Sequence, residues 1–204
     1  MTRKEAPRII LASQSPRRAH LLRMLGLDFD IRPAEVDETY VDGEPAPVHA
    51  ERLAREKAQA VAREAADSLV IGSDTVVVLG KDVLGKPRDR DHAIDMLMKL
   101  EGRAHRVETG IAVARDGNVL SGVESVKVHF RTFDRRTAEA YVKTGEPMDK
   151  AGAYGIQGYG SALVERIDGD YYAVMGLPVA HMLSLIEAHG FRYTFRGLEP
   201  KHVS

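Results

Sequence analysis

A hexapeptide near the start of the chain, Ser13-Gln14-Ser15-Pro16-Arg17-Arg18, constrains the fold more than any other stretch because it joins two different kinds of element. The short apolar run at residues 9–12 predicts a buried strand before it. Leucines at helical spacing in residues 19–25 predict a helix after it. Ser15 is a favoured N-cap residue, and Pro16 suits the first helical position. The hexapeptide is therefore predicted to be a strand-to-helix turn.

The composition of this turn is typical of a phosphate site. A helix N-terminus offers unpaired N–H groups and a partial positive charge, and both attract anions. The hydroxyls of Ser13 and Ser15 and the guanidiniums of Arg17 and Arg18 lie beside that terminus, and arginine matches a phosphate with a planar fork of donors. An ordinary capped helix with solvated arginines explains the same residues, so this stretch alone leaves both interpretations open.

Composition narrows the class of protein. With 204 residues, 44% hydrophobic and 29% charged, the chain is expected to form one globular domain over residues 1–204, or one such domain with two lobes. A net charge of −1 argues against a broad nucleic-acid or membrane surface. The lack of cysteine excludes disulfides, thiolate catalysis and cysteine-based zinc sites. The apolar run at 9–12 is too short for a signal-peptide core, so a cytoplasmic location is expected.

The order of elements indicates an α/β fold with a mixed twisted sheet, because strands and helices alternate early and strands cluster in the middle. Helices are predicted at about residues 48–66, 91–100, 137–142 and 178–188. Strands are predicted at residues 69–72, 75–79, 83–84, 107–114, 118–122, 126–130 and 162–167.

Two acidic residues are candidates for chemistry. Asp74 follows the predicted strand at 69–72, and α/β folds place their ligands at the carboxyl ends of strands. Its carboxylate could bind a metal or activate a water. A turn aspartate that bonds its own backbone is the commoner explanation of such a residue. Glu38 is a second possible metal ligand, although acidic loop residues are usually only solvated.

Two lysines are candidates for phosphate contacts. Lys86 precedes Pro87, which restricts it to an extended conformation on a stiff loop. Lys57 borders the apolar stripe of the predicted helix at 48–66, where a lysine often snorkels to solvent. For each lysine, solvation alone is a sufficient alternative.

Residues 149–160 form a glycine-rich segment whose backbone could approach a ligand closely. The amide of Gln157 can both donate to and accept from a nucleobase edge. Tyr154 or Tyr159 could stack on a base or simply pack. The glycine spacing fits neither a dinucleotide fingerprint nor a Walker loop, and a tight loop beneath a hairpin stays open as the alternative.

Six segments in one order resemble the Maf family of nucleoside triphosphate pyrophosphatases from about residue 9 to residue 189. They are Leu11-Ala-Ser-Gln-Ser-Pro-Arg-Arg18, Arg55-Glu-Lys-Ala58, Gly72-Ser-Asp-Thr-Val76, Gly85-Lys-Pro87, Asp149-Lys-Ala-Gly-Ala-Tyr-Gly-Ile-Gln-Gly158 and Gly169-Asp-Tyr-Tyr-Ala-Val-Met-Gly-Leu-Pro178. The resemblance implies a two-lobed α/β fold with an elongated mixed sheet flanked by helices, related to the inosine triphosphate pyrophosphatases. The resemblance places the nucleotide in a central cleft between the two lobes. It also implies hydrolysis between the α and β phosphates and a divalent cation such as Mg²⁺ or Mn²⁺.

The resemblance further implies roles for individual residues. Asp74 matches the general base, and Glu38 matches a metal contact, with Asp74 as a second one. The positions matched to substrate binding or choice are Ser13, Ser15, Arg17, Arg18, Lys57, Thr75, Lys86, Lys150 and Gln157. The segment from Ala151 to Gly158 resembles the branch that prefers dTTP and UTP, including modified pyrimidine nucleotides.

Two other functions stay open from the sequence. One is a nucleotide-binding regulator of cell division or septum formation without turnover, and the other is a hydrolase of damaged purine triphosphates. The expected partner is the nucleoside triphosphate, without a nucleic-acid polymer or a membrane. The sequence also leaves a homodimer open.

Overall fold

The computed structural model describes residues 6–201. Two compact units emerge from it. The first comprises the described residues up to Asp74, then Thr109–Val123 and the described residues from Gly176 onward. The second comprises Thr75–Glu108 and Glu124–Met175. The expectation of one domain with two lobes and a central cleft stays a prediction, and each unit is described by itself below.

The first unit begins with the predicted strand-turn-helix. Strand β1 is Arg8–Leu11 and helix α1 is Pro16–Met24, with the Ser15 side chain accepting from the Arg18 backbone N–H. Apart from β6 (Asn118–Phe130), which is described with the second unit, the other elements that begin in this unit are β2 (Asp30–Ile31), α2 (Ala46–Ala62), β3 (Ser68–Leu79), α6 (Val179–Ala188), β8 (Phe191–Tyr193) and β9 (Leu198–Pro200). The hydrogen bond from the Arg18 backbone N–H to the Ser15 side chain confirms the predicted N-cap.

The second unit holds shorter helices and the ends of the long strands. Its elements are β4 (Asp82–Leu84), α3 (Arg90–Leu100), α4 (Arg135–Lys143), β7 (Val164–Asp168) and α5 (Tyr171–Val174). Strands β5 (Ala104–Arg115) and β6 (Asn118–Phe130) belong partly to each unit. Three short 3₁₀ turns, Glu146–Asp149, Ala151–Ala153 and Gly158–Leu163, make up most of the glycine-rich segment.

One mixed sheet contains seven strands in the order β2-β1-β3-β5-β6-β7, with β4 also paired to β3. Strand β1 runs parallel to both β2 and β3, whereas β3 with β4 and β6 with β7 are antiparallel. Strands β8 and β9 form a separate antiparallel pair. The predicted α/β class with a mixed sheet flanked by helices is confirmed.

Each unit has its own apolar core. In the first unit α2 contributes Ala54, Ala58 and Val61, which pack with Ile10 of β1 and Val70 of β3. In the second unit α3 and α4 pack their buried faces with the far ends of β3, β5 and β6. The apolar stripes that predicted these helices are the faces that they bury.

Several predicted boundaries were wrong. The strands predicted at 69–72 and 75–79 are one strand, β3, which pairs with β1 near its start and with β4 near its end. Strands predicted at 118–122 and 126–130 are one strand, β6. The turn before it lies at Asp116-Gly117, and both turn residues have positive φ, as a tight hairpin turn requires. The strand predicted at 162–167 begins only at Val164, since a 3₁₀ turn occupies the residues before it.

Candidate active site

The first unit brings Glu38, Lys57 and Asp74 together. The Lys57 ammonium lies 2.6 Å from Glu38 Oε1 and 2.7 Å from Asp74 Oδ1. Lys57 projects from α2, Asp74 from the middle of β3, and Glu38 from the segment between β2 and α2. The Lys57 and Asp74 side chains are only 9% and 12% exposed, so burial strengthens this ion pair compared with surface pairs. The Glu38 side chain is 57% exposed, and solvent screens its contact with Lys57. The alternative in which Lys57 is merely solvated is excluded.

Asp74 lies inside a strand and not at its end, but the reasoning from strand ends still applies to its neighbour. The parallel register of β1 with β3 ends at Leu11 opposite Ile71, three residues before Asp74. Asp74 therefore follows the carboxyl end of β1 on the adjacent strand. This is where parallel sheets place ligand-binding groups. A turn aspartate bonded to its own backbone is excluded, because Asp74 is part of β3.

The hexapeptide is tied together by its own side chains. Arg18 Nη1 donates to Ser13 Oγ at 3.0 Å, and the Ser15 backbone N–H donates to the same oxygen at 3.2 Å. Arg18 Nε donates to the carbonyl oxygen of Gly176 at 2.8 Å. The turn is therefore braced from within, and its arginine also holds the segment that leads into α6.

Arg18 has an unusual electrostatic environment for a residue of a helical first turn. Burial lowers the pKa of its guanidinium, and the nearby carboxylates of Asp74 and Glu38 act in the opposite direction. Arg17 adds a second positive charge next to it. Arginine stays protonated even so. The start of α1 and the Glu38–Lys57–Asp74 group therefore belong to one charged region of the first unit.

Ser73 and Gly176 are functional candidates that the sequence analysis did not single out. The fully buried Ser73 hydroxyl lies 2.8 Å from the carbonyl oxygens of Gly110 and of Gly176. The Gly176 carbonyl thus receives donors from both β3 and α1. Their presence inside the matched segments was the only sequence signal, because nothing local shows which carbonyl a serine will reach.

The loop that carries Glu38 is anchored by a second network that the sequence reasoning missed. Arg52 of α2 contacts Glu44 through Nε at 2.7 Å and donates to the Thr39 carbonyl oxygen at 3.4 Å. His49 Nδ1 lies 2.9 Å from the other Glu44 oxygen. The hydrogen bond from Arg52 is the main cause that lowers the pKa of Glu44 to about 2. Glu44 and Arg52 thereby fasten the part of the loop that follows Glu38.

The remaining predicted residues lie in the second unit. Thr75 follows Asp74 and is half-buried, whereas Lys86 and Gln157 are exposed. The Lys150 ammonium donates to the Glu146 carbonyl oxygen and lies 2.6 Å from Asp149 Oδ1. Lys150 is therefore engaged by its own turn.

The two tyrosines of the glycine-rich segment differ in environment. Tyr154 is buried and packs edge-on against Phe130, with ring centroids 4.7 Å apart. Its hydroxyl lies 2.7 Å from His105 Nε2. Burial raises the pKa of Tyr154 and lowers that of His105 to about 4. Tyr159 is 70% exposed. Of the two, Tyr154 is a packing residue, which leaves Tyr159 available for other contacts.

The donor set restricts what kind of metal could bind. Within residues 6–201 no three or more histidine, aspartate or glutamate side chains are gathered as a metal site. Two carboxylates, Glu38 and Asp74, do converge on one point occupied by the Lys57 ammonium. Mg²⁺ commonly binds one or two protein carboxylates and completes its shell with water and substrate phosphates. Glu38 and Asp74 are therefore of the type and number that a protein commonly offers to Mg²⁺.

Comparison with known proteins identifies the family. The chain matches the Maf-like protein family over residues 8–189, and it belongs to that family. A protein from Aquifex aeolicus named dTTP/UTP pyrophosphatase is 46% identical over 88% of this chain and 94% of the relative. A protein of the same name from Anaeromyxobacter dehalogenans strain 2CP-1 is 49% identical over 91% of this chain and 96% of the relative.

A solved structure agrees with the fold. The Ham1 protein of Staphylococcus aureus superposes with a TM-score of 0.50 over 89% of this chain and 97% of its own, at 15% identity. At that identity the likeness shows the fold alone. In the described residues, no helix is both long and apolar enough to cross a membrane.

Proposed function

We propose that this chain is a nucleoside triphosphate pyrophosphatase that converts dTTP and UTP to the monophosphate and pyrophosphate. The observation that carries the proposal is the 46–49% identity, over about nine tenths of the chain, to relatives named dTTP/UTP pyrophosphatase. The Glu38–Lys57–Asp74 group and the braced turn before α1 support it, because they join carboxylates and cations in one region.

Asp74 is the proposed general base. In this role its carboxylate accepts a proton from water while the water oxygen bonds to a phosphorus of the α–β anhydride. The bond from that phosphorus to the bridging oxygen breaks, and this oxygen leaves with the other product. Lys57 donates to Asp74 Oδ1 at 2.7 Å, so it orients the carboxylate.

The cations are proposed to counter the charge of the triphosphate. A triphosphate repels an incoming nucleophile, and positioned cations reduce this part of the barrier. Arg17, Arg18 and Lys86 are the proposed contributors from this chain, with the hydroxyls of Ser13 and Ser15 shaping the turn. Glu38 and Asp74 would hold a divalent ion such as Mg²⁺ or Mn²⁺, which supplies further neutralisation of phosphate charge when bound.

Base choice is assigned to the second unit. Gln157 is exposed on the glycine-rich segment, and its amide can donate and accept toward the N–H and carbonyl groups of a pyrimidine. Thr75 and Lys150 are proposed to assist substrate binding there, and Arg17 of the first unit is also matched to substrate choice. A cytoplasmic location and a homodimer stay predictions.

The deciding experiment is a panel of nucleoside triphosphates with product identification, run with Mg²⁺, with Mn²⁺ and with a chelator. We expect dTTP and UTP to be the best substrates and to yield monophosphate with pyrophosphate. Release of orthophosphate with a diphosphate would contradict the proposed bond cleavage. A preference for inosine triphosphate would favour a hydrolase of damaged purines, and binding without turnover would favour a regulator.

A further inference from the structure

The carboxylate of Glu146 lies against the part of the glycine-rich segment that contains Gln157. Its Oε1 accepts from the Gly160 backbone N–H at 3.0 Å and from the Tyr141 hydroxyl at 2.8 Å. Its Oε2 accepts from the Tyr159 backbone N–H at 2.9 Å. One side chain therefore binds two successive peptide groups that follow Gln157.

Tyr141 extends this arrangement to the other side of Gln157. Its hydroxyl oxygen accepts from the Gly155 backbone N–H at 3.1 Å while the hydroxyl proton is donated to Glu146. Glu146 and Tyr141, which we call the loop clamp, thus hold residues 155, 159 and 160 at once. Gln157 lies between these residues in the chain, so its backbone has little freedom to move independently of them.

Two glycines of the segment lie so close to the loop clamp that a side chain at either position would collide with it. A Cβ on Gly158, whose φ is +66°, would lie 2.4 Å from Glu146 Oε2. A Cβ on Gly160 would lie 2.6 Å from the Tyr141 hydroxyl and 2.3 Å from the Gly155 carbonyl oxygen. The backbone therefore approaches the two side chains more closely than any residue with a side chain would permit.

The clamp itself is well anchored. Tyr141 is a buried residue of α4 and part of the apolar core of the second unit. Glu146 begins the 3₁₀ turn that follows α4, and its carbonyl oxygen accepts from the Lys150 ammonium. Burial would raise the pKa of Glu146, but the hydrogen bonds from Gly160, Tyr159 and Tyr141 outweigh it, and the pKa is lowered. At neutral pH the clamp is therefore a charged acceptor, which makes its hydrogen bonds stronger than those between neutral groups.

We propose that Glu146, acting with Tyr141, is a positioning residue for base selection, because it fixes the backbone on both sides of Gln157. This inference rests on the proposed function, since it takes Gln157 as the group that reads the base. It adds a residue that touches no substrate and yet sets the nucleotide preference. A displacement of about 1 Å in a group that positions substrate is enough to change activity greatly.

The test uses Glu146→Gln in the full chain, which keeps the size of the side chain but replaces one acceptor oxygen with a donor. The matched control is Glu165→Gln, which removes the same charge from an exposed position of β7 in the same unit. For Glu146→Gln we expect kcat/KM on dTTP and UTP to fall ~10- to 100-fold and to fall less on other triphosphates. The nucleotide profile should flatten, and Gln157→Ala, which removes the amide proposed to read the base, should flatten it in the same way.

A second readout requires no substrate. Amide hydrogen exchange of Tyr159 and Gly160 in the nucleotide-free chain should accelerate at least about tenfold in Glu146→Gln and stay unchanged in Glu165→Gln. Tyr141→Phe keeps the ring in the core and removes only the hydroxyl, so it should shift exchange at Gly155 and the nucleotide profile the same way. Tyr141→Phe also tests the proposal if Glu146→Gln fails to fold. The double variant should lose less than the sum of the two single losses.

Two failures can be told apart. Suppose that the parent chain prefers dTTP and UTP, but that the clamp variants lower kcat/KM equally on all triphosphates or on none. The role of Glu146 in selection is then wrong, while the proposed function stands. If the parent chain hydrolyses no triphosphate, both the proposed function and the selection role are overturned. Faster exchange together with a flattened profile is the result that supports the inference.

Discussion

At the scale of single residues, the most informative position is Lys57, whose ammonium contacts two carboxylates. An ammonium at 2.7 Å from Asp74 keeps that side chain in one orientation, and the contact to Glu38 at 2.6 Å draws an exposed loop residue to the same point. An ammonium in this position can keep a carboxylate oriented as a general base and still accommodate a substrate that carries its own charge. The predictions at this scale therefore concern Asp74 and the cations.

Replacing Asp74 with asparagine should abolish most turnover while the fold persists. Loss of a general base typically costs ~10²–10⁴-fold in rate, and a joint role in metal binding would enlarge the loss. Steady-state kinetics on dTTP measures it, with circular dichroism as the check on folding. Asp28→Asn, at an exposed position of the same unit, is the control. Near-parental activity in a folded Asp74→Asn chain would remove Asp74 from the mechanism.

Arg17→Ala and Lys86→Ala should each weaken catalysis through lost phosphate contacts. A charge-assisted hydrogen bond contributes about 1.5–3 kcal/mol, which corresponds to roughly ten- to a hundredfold in kcat/KM. Lys81→Ala removes an equally exposed lysine from the turn before β4 and should leave the kinetics unchanged. Unchanged kinetics in both test variants would mean that these cations are only solvated.

At the scale of elements, helix α2 is the part on which the first unit depends. It supplies Lys57 and Arg52, and its backbone lies directly on the sheet at two glycines. A Cβ on Gly72 would lie 2.3 Å from the Ala54 carbonyl oxygen, and one on Gly110 would lie 2.1 Å from the Ala50 carbonyl oxygen. The position of the helix, and with it that of Lys57, is set by these close approaches.

Gly110→Ala should therefore destabilise the chain strongly. Overpacking typically costs about 1–3 kcal/mol, and here the obstructing atoms are helix backbone that cannot rotate away, so we expect the upper end. Urea unfolding measures the loss. Gly85→Ala adds the same methyl group where no atom lies within 4 Å, and it should be nearly neutral. Equal stabilities of the two variants would show that α2 shifts without cost.

The Glu44–Arg52 pair should make stability depend on pH. The pKa of Glu44 in the folded chain is about 2, below its ordinary 4.5. Its contribution is therefore present above about pH 4.5 and is lost as the pH falls toward 2. Glu44→Gln should lower the free energy of unfolding at neutral pH, and the difference from the parent chain should narrow as the pH falls from about 4.5 toward 2. Glu64→Gln, at an exposed position just past α2, should show no such narrowing. A gap that is constant with pH would contradict the assigned ion pair.

At the scale of the whole molecule, a bound nucleotide should stabilise the folded chain, because a ligand that binds only the folded state shifts the unfolding equilibrium. A ligand at 100 times its Kd stabilises the folded state by about 2.7 kcal/mol, which for a chain of this size raises Tm by roughly 5–10 °C. We expect this rise for Asp74→Asn, which does not turn substrate over, with dTTP and Mg²⁺. Thymidine should have little effect because it lacks phosphates. Equal shifts with dTTP and thymidine would argue against a triphosphate site.

The local structure was predictable because it depends on neighbours along the chain. The cap at Ser15, the turn into α1 and the apolar faces of α2 and α3 follow from residue types within one or two helical turns. Resemblance in the six segments was enough to identify the family, since residue types in a fixed order need no structure to be matched.

The long-range contacts were decided only by the tertiary structure. Lys57 meets Asp74 from 17 residues away, Arg18 meets the Gly176 carbonyl from 158, and Glu146 meets the Gly160 N–H from 14. The same holds for β3, whose two predicted segments form one strand that pairs with β1 along residues 68–71 and with β4 along residues 77–79. Such contacts depend on strand register and helix packing, which sum many weak interactions over the whole core. The sequence by itself therefore determined the candidate residues and their family, whereas the fold decided which of them act on one another.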